Sequence, residues 1–180
     1  MKPTARPIAR PTAPLYTEEQ KRLRDASPWT IVQGVLAPLQ LLAFLVSVYL
    51  VLEFLRTGAG EQAATISIFV KTGFLYLIMY TGAIWEREVF GVWIFAKPFF
   101  WEDAVSIVVI ALHTAYIAAW VFDFLSVRDQ MLIALAAYAA YVVNAMQFFL
   151  KLRDARRQSQ DFAAQEADTR VAVTAMKATQ

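Results

Sequence analysis

The fold class this sequence predicts is an all-α membrane protein, with four transmembrane helices in an up-and-down antiparallel bundle and both termini cytoplasmic. Three observations predict it. Of the 180 residues, 58% are hydrophobic and 14% aromatic, well above the share expected of a soluble domain of this length. The apolar residues gather in four stretches, about 29–52, 63–85, 104–122 and 130–150, each near the roughly 20 helical residues that cross a hydrocarbon core of about 30 Å. Lysine and arginine flank these stretches unequally, which sets an orientation.

Composition also removes function classes. The net charge is only +2, and the basic residues sit beside apolar runs rather than among aromatics on one surface, so nucleic acid is not an expected partner. With no cysteine there are no disulfides, thiolate zinc sites, iron–sulfur clusters or thiol nucleophiles. A single histidine rules out a multi-histidine metal site within one chain.

Along the chain, residues 1–14 (MKPTARPIARPTAP) hold four prolines and three basic residues without an acid, a composition that builds no core and reads as a disordered tail. The main domain is expected over 15–157. It opens with a short helix over Tyr16–Asp25, where Thr17 and Gln20 have the spacing of a capping box. Ser27 followed by Pro28 is a second start signal, an N-cap with proline at the first helical position. The first crossing follows directly. RTGAGEQ joins it to the second, the segment Glu86–Asp103 joins the second to the third, and DFLSVRD joins the third to the fourth. Connections this short make sequence neighbours antiparallel.

Six basic residues precede the first crossing and six follow the fourth. The first and third loops carry one each, Arg56 and Arg128, and the middle segment carries Arg87 and Lys97. Both termini and the middle segment are therefore placed in the cytoplasm. Beyond Leu150 the helix is expected to run on for two or three turns, after which residues 158–180 read as a solvated tail. No internal repeat is visible, so a carrier built of inverted repeats has no support.

An ionisable group at membrane depth costs roughly 2.5–3.5 kcal/mol on insertion scales, so each one asks for a reason. Lys71 and His113 lie well inside. His113 shares a helical stripe with Glu102, Ser106, Val109, Tyr116 and Trp120. The first crossing has a comparable stripe, Gln33, Ala37, Gln40, Phe44 and Ser47, and the fourth offers Tyr141, Asn144 and Gln147. These stripes line one polar interior or serve as interhelical glue, and the sequence leaves both readings open. Lys71 is close enough to the far end of its helix for its stem to snorkel toward Glu53 or Glu61. At the other end WERE (85–88) and FFWED (99–103) set Glu86, Glu88, Glu102 and Asp103 among aromatic rings. Low dielectric disfavours the charged form of a carboxyl, and one that keeps its proton near neutrality serves as a general acid.

The strings PWTIVQGVLAPLQLLAFLVS, TISIFVKTGFLYLIMYTGAIWEREVFG, FAKPFFWEDAVSIVVIALHTAY and ALAAYAAYVVNAMQFFLKL resemble the 3-vinyl (bacterio)chlorophyllide hydratases of bacteriochlorophyll biosynthesis. The resemblance runs from about Leu15 to Arg157. It implies a lyase of the bacterial inner membrane that adds water to the vinyl group of a chlorophyllide or bacteriochlorophyllide, giving a 1-hydroxyethyl group. No cofactor is implied, since the magnesium belongs to the substrate macrocycle. Such chemistry needs a proton donor for the terminal vinyl carbon, a negative environment for the cation at the carbon next to the ring, and one positioned water. On the matched positions, Glu102 or Asp103 is the expected acid, with Glu86 orienting water or stabilising the cation. His113 either ligates the substrate magnesium or relays a proton. Arg87 and Lys97 are placed on the substrate propionate, and Gln40, Tyr116, Tyr141 and Asn144 line the pocket.

Beyond substrate and lipid, the expected partners are neighbouring enzymes of the same pathway and a second copy of the chain, through the small-residue surface of Ala134, Ala136, Ala137, Ala139 and Ala140. A non-enzymatic pigment-binding or photosystem-assembly membrane protein is the alternative reading, with a proton-coupled carrier behind it.

Overall fold

The computed structural model describes residues 15–178, with side chains as far as Arg157 and at Gln160. The tail assigned to residues 1–14 lies outside the described residues. Five helices follow one another: α1 (Glu18–Ala26), α2 (Pro28–Thr57), α3 (Glu61–Phe90), α4 (Phe100–Phe122) and α5 (Val127–Ala178), and no strand occurs among the described residues. Four of them are long and apolar enough to cross a membrane, which makes this a multi-pass membrane protein. At 30 residues each, α2 and α3 are about 45 Å long, longer than the hydrocarbon core they cross.

Local chemistry explains the ends. Thr17 caps α1 in a complete capping box with Gln20. Ser27 accepts from the Trp29 amide and Pro28 occupies the first turn of α2, where its missing N–H costs nothing. Gly58 and Gly91 close α2 and α3 with φ of 74° and 77°, a left-handed region that glycine enters without a side-chain clash. Ser126 caps α5, its Oγ accepting from the Asp129 amide at 3.2 Å.

The helices form two hairpins. The closest packing is α2 on α3 and α4 on α5, and the hairpins meet more lightly along α2–α5 and α3–α4. The seam between them holds the apolar core, with Phe44, Val51, Ile68, Val109, Tyr116 and Tyr138 among its members. Polar side chains cross it too: Ser47 Oγ lies 2.5 Å from Tyr138 Oη on α5 and 2.7 Å from Ser67 Oγ on α3. Gln33 on α2 donates to Thr81 Oγ1 (2.7 Å) and to the Ile78 carbonyl (3.2 Å) on α3. These two side chains are interhelical glue, bonds worth about 0.6 kcal/mol on average between membrane helices.

Several expectations change. Lys71 does not snorkel toward either acid: it is fully buried, its Nζ sits 3.9 Å from the centre of the Tyr141 ring, and Glu53 is engaged with Arg56. Trp120 leaves the buried stripe of α4 and is 48% exposed, edge-on to Phe69. On α2 the buried stripe passes through Leu36 while Ala37 faces outward. The alanine surface of α5 is divided, with Ala134 and Ala137 inside the bundle and Ala136 and Ala139 exposed. Finally, α5 does not stop two or three turns past Leu150 but continues to Ala178.

Candidate active site

The acids at the mouth of the bundle are helical, not loop residues. Glu86 is on the last turns of α3, Glu102 and Asp103 are in the first turn of α4, and all three are 6% exposed. Carboxyls in a first turn are favoured by the exposed N–H groups there. The intervening residues 91–99 fold back over them. Phe95 in this connection has φ of 62°, rare for a bulky side chain, and the following amides aim at the acids: the Phe95 N–H donates to Asp103 Oδ2 at 2.7 Å and the Ala96 N–H to Glu86 Oε2 at 3.1 Å.

The Glu86 and Asp103 carboxyls face each other within reach of a hydrogen bond. Two carboxylates offer only acceptors, so a bond between them forms when the pair holds one proton.

Glu102 has a different surrounding. Its Oε2 is 2.6 Å from Lys151 Nζ on α5, with side-chain exposures of 8% and 20%. The same ammonium donates to the Pro98 carbonyl and lies 4.7 Å from the Phe99 ring centre. Asn144, two turns earlier on α5, donates to the Glu102 carbonyl (2.9 Å) and to Ser106 Oγ (2.8 Å). Among the described residues the three carboxyls thus share one ion-pair partner, and it belongs to Glu102. Trp85, Phe90, Phe99, Phe148 and Tyr16 form an aromatic wall beside them. Glu88 turns away, accepting from Ser27 Oγ and from Trp29 Nε1 (3.1 Å), and fastens the α1–α2 joint to α3.

His113 is fully buried one level deeper, eleven residues or about 16 Å along α4 from Glu102. Its Nδ1 lies 2.8 Å from the Val109 carbonyl. A carbonyl only accepts, so Nδ1 carries the hydrogen and Nε2 presents a bare lone pair, buried without a hydrogen-bond partner among the described residues. Its ring centre is 5.8 Å from that of Tyr138.

The structure therefore brings Glu86, Glu102, Asp103 and Asn144 together at the mouth. His113, Tyr116 and Tyr141 are set deeper, and Gln40 is buried on α2. Arg87 and Lys97 are exposed at the mouth, with the Arg87 guanidinium 4.3 Å from the Trp93 ring centre. Lys151 is the site residue that sequence reasoning missed, having counted it only among the basic residues that orient the chain. Its spacing of seven from Asn144 was the available signal, since two helical turns put both on one face.

All of these residues lie inside one match. The family model of 2-vinyl bacteriochlorophyllide hydratase covers residues 16–154. The chain belongs to that family. Among relatives, it is 60% identical over 157 residues to the 2-vinyl bacteriochlorophyllide hydratase of Rhodobacter capsulatus, covering 87% of this chain and 90% of the relative. It is 59% identical over 156 residues to the protein of the same name from Cereibacter sphaeroides, covering 87% and 96%. No solved structure matches. Membership of the hydratase family makes this chain a hydro-lyase of bacteriochlorophyll biosynthesis.

Proposed function

We propose that the chain adds water to the vinyl group of a bacteriochlorophyllide or chlorophyllide at the mouth of the bundle, in the bacterial inner membrane with that mouth toward the cytoplasm. The observation that carries the reading is the unequal treatment of the three carboxyls: Lys151 neutralises Glu102, while Glu86 and Asp103 face each other with no cation so close among the described residues. Carboxyls in different surroundings divide acid and base work.

The pair is the proton donor, and Asp103 delivers the proton to the terminal vinyl carbon. The positive charge forms at the carbon beside the ring, where the conjugated macrocycle spreads it and the Glu102 carboxylate offsets it. Water adds to that carbon, and its surplus proton returns to the pair, so the enzyme is unchanged and one water is gained. The 91–99 connection and the aromatic wall keep other water out. His113, through the lone pair on Nε2, holds the substrate magnesium, and its ring hangs toward the mouth because helical side chains lean toward the N-terminus. Arg87 and Lys97 meet the propionate at the surface.

Membranes containing the chain, incubated with a 3-vinyl chlorophyllide and followed by mass and absorption, are expected to yield a product heavier by one water with a blue-shifted band. Pigment retained without a change of mass would overturn the reading in favour of a pigment-binding protein. If Glu86→Gln and Asp103→Asn both keep full activity, the donor is misassigned.

A further inference from the structure

The mechanism leaves one buried cation without work. Lys71 is on α3, fifteen residues or about 22 Å along the helix from Glu86. It is 0% exposed, and its Nζ has no hydrogen-bond partner among the described residues. Its Nζ lies 3.9 Å from the centre of the Tyr141 ring, whose face attracts a cation but accepts no conventional hydrogen bond from it.

The other orphaned side-chain nitrogen of the interior among the described residues, His113 Nε2, is on α4, which packs against α3. Both are supported from α5: Tyr141 underlies Lys71, and Tyr138, one turn away, lies against His113. A donor that lacks an acceptor and an acceptor that lacks a donor, each sealed inside a membrane bundle, are complementary to a molecule that brings both. Buried polar groups are ordinarily paired, and two exceptions in one place point to a ligand.

We propose that Lys71 and His113 form a two-point anchor for the macrocycle, His113 Nε2 binding its magnesium and Lys71 donating to an oxygen on its periphery. The oxygen is a ring carbonyl, because the propionate is engaged at the mouth by Arg87 and Lys97. The inference rests on the hydratase reading for the identity of the macrocycle. It makes Lys71 a binding residue of the deep level and leaves the proton chemistry to the mouth.

The test is absorption titration of the full-length chain in detergent with three probes: a 3-vinyl chlorophyllide, its magnesium-free analogue and its propionate methyl ester. Lys71→Met is expected to weaken binding of all three by at least tenfold. His113→Ala is expected to weaken the magnesium-containing probes and leave the magnesium-free one as it binds to the parent. Loss of all three probes in Lys71→Met assigns the acceptor as a carbonyl, and loss confined to the free acids would overturn the proposal. The ligand-free Lys71→Met chain is expected to melt no lower than the parent, because it removes a buried cation that lacks a hydrogen-bond partner. Parent-like binding of every probe by Lys71→Met, or a clear drop in its ligand-free melting temperature, would overturn the proposal. Binding is read without turnover, so a parent chain that binds pigment but adds no water would refute the hydratase reading while leaving the anchor standing.

Discussion

Removing the amine of Lys151 tests the division of labour among the three carboxyls. Lys151→Met keeps the length and the apolar stem but deletes the charge 2.6 Å from Glu102 and the donor to Pro98. Breaking a buried pair by removing one partner costs about 3–5 kcal/mol, because the other charge stays behind. Here the Lys151 side chain is 20% exposed, so solvent screens part of that and a loss of about 2–3 kcal/mol is expected. Without the ammonium, nothing holds the Glu102 carboxylate where it offsets the developing cation. Loss of one such electrostatic stabiliser lowers turnover on the order of 10²-fold.

The assay is single-turnover hydration of a vinyl chlorophyllide in membranes, read by mass, beside thermal unfolding in detergent. Lys151→Arg is expected to retain most activity. The double variant Lys151→Met, Glu102→Gln is expected to recover stability toward the parent, since both charges are gone, without recovering turnover. If Lys151→Met hydrates as fast and melts as high as the parent, the ion pair has no part in holding Glu102 in place and the assignment of roles fails.

Three further outcomes follow from the same geometry. Hydration should fall as pH rises, because the proton shared by Glu86 and Asp103 is present at low pH and lost at high pH; a rate that climbs steadily with pH in single-turnover measurements would contradict this. Glu86→Gln should slow turnover at least tenfold while leaving pigment binding, followed by absorption, within about twofold. Asn144→Leu removes the bonds to the Glu102 carbonyl and Ser106, and should lower the melting temperature by an amount matching about 1–2 kcal/mol, with turnover reduced less than in Lys151→Met.

The parts of the fold that the sequence made legible were those set by local rules. Four apolar stretches of spanning length can only be helices in lipid, where every backbone group must be bonded internally. The Thr17–Gln20 box and the Ser27–Pro28 start involve residues three or fewer apart. Inward direction was harder to read, because apolar side chains suit both the lipid and the core of a membrane bundle and periodicity loses its contrast. Lys71 is placed well inside by the sequence, yet the direction of its side chain stays open for that reason, with a snorkelling stem as plausible on paper as a buried one. Lys151 was hidden by distance: 49 residues separate it from Glu102, and its charge already had an explanation in the orientation of the chain. The long extension of α5 escaped because past Leu150 the residues carry helix propensity without an apolar face.

The conformation of Phe95 alters how any substitution at Asp103 must be interpreted. A non-glycine residue at φ of 62° raises the backbone energy by about 1–2 kcal/mol. The Asp103 carboxylate holds the Phe95 amide and the Phe100 ring, 5.5 Å away, holds its side chain. The connection is therefore a bent spring with Asp103 as its catch. Asp103→Ala releases the catch as well as deleting the acid, and its inactivity would say nothing about proton transfer. Asp103→Asn leaves an oxygen to hold the amide, and Phe95→Gly relaxes the spring. Only with those two beside it does a dead Asp103→Ala enzyme distinguish a missing proton from a sprung loop.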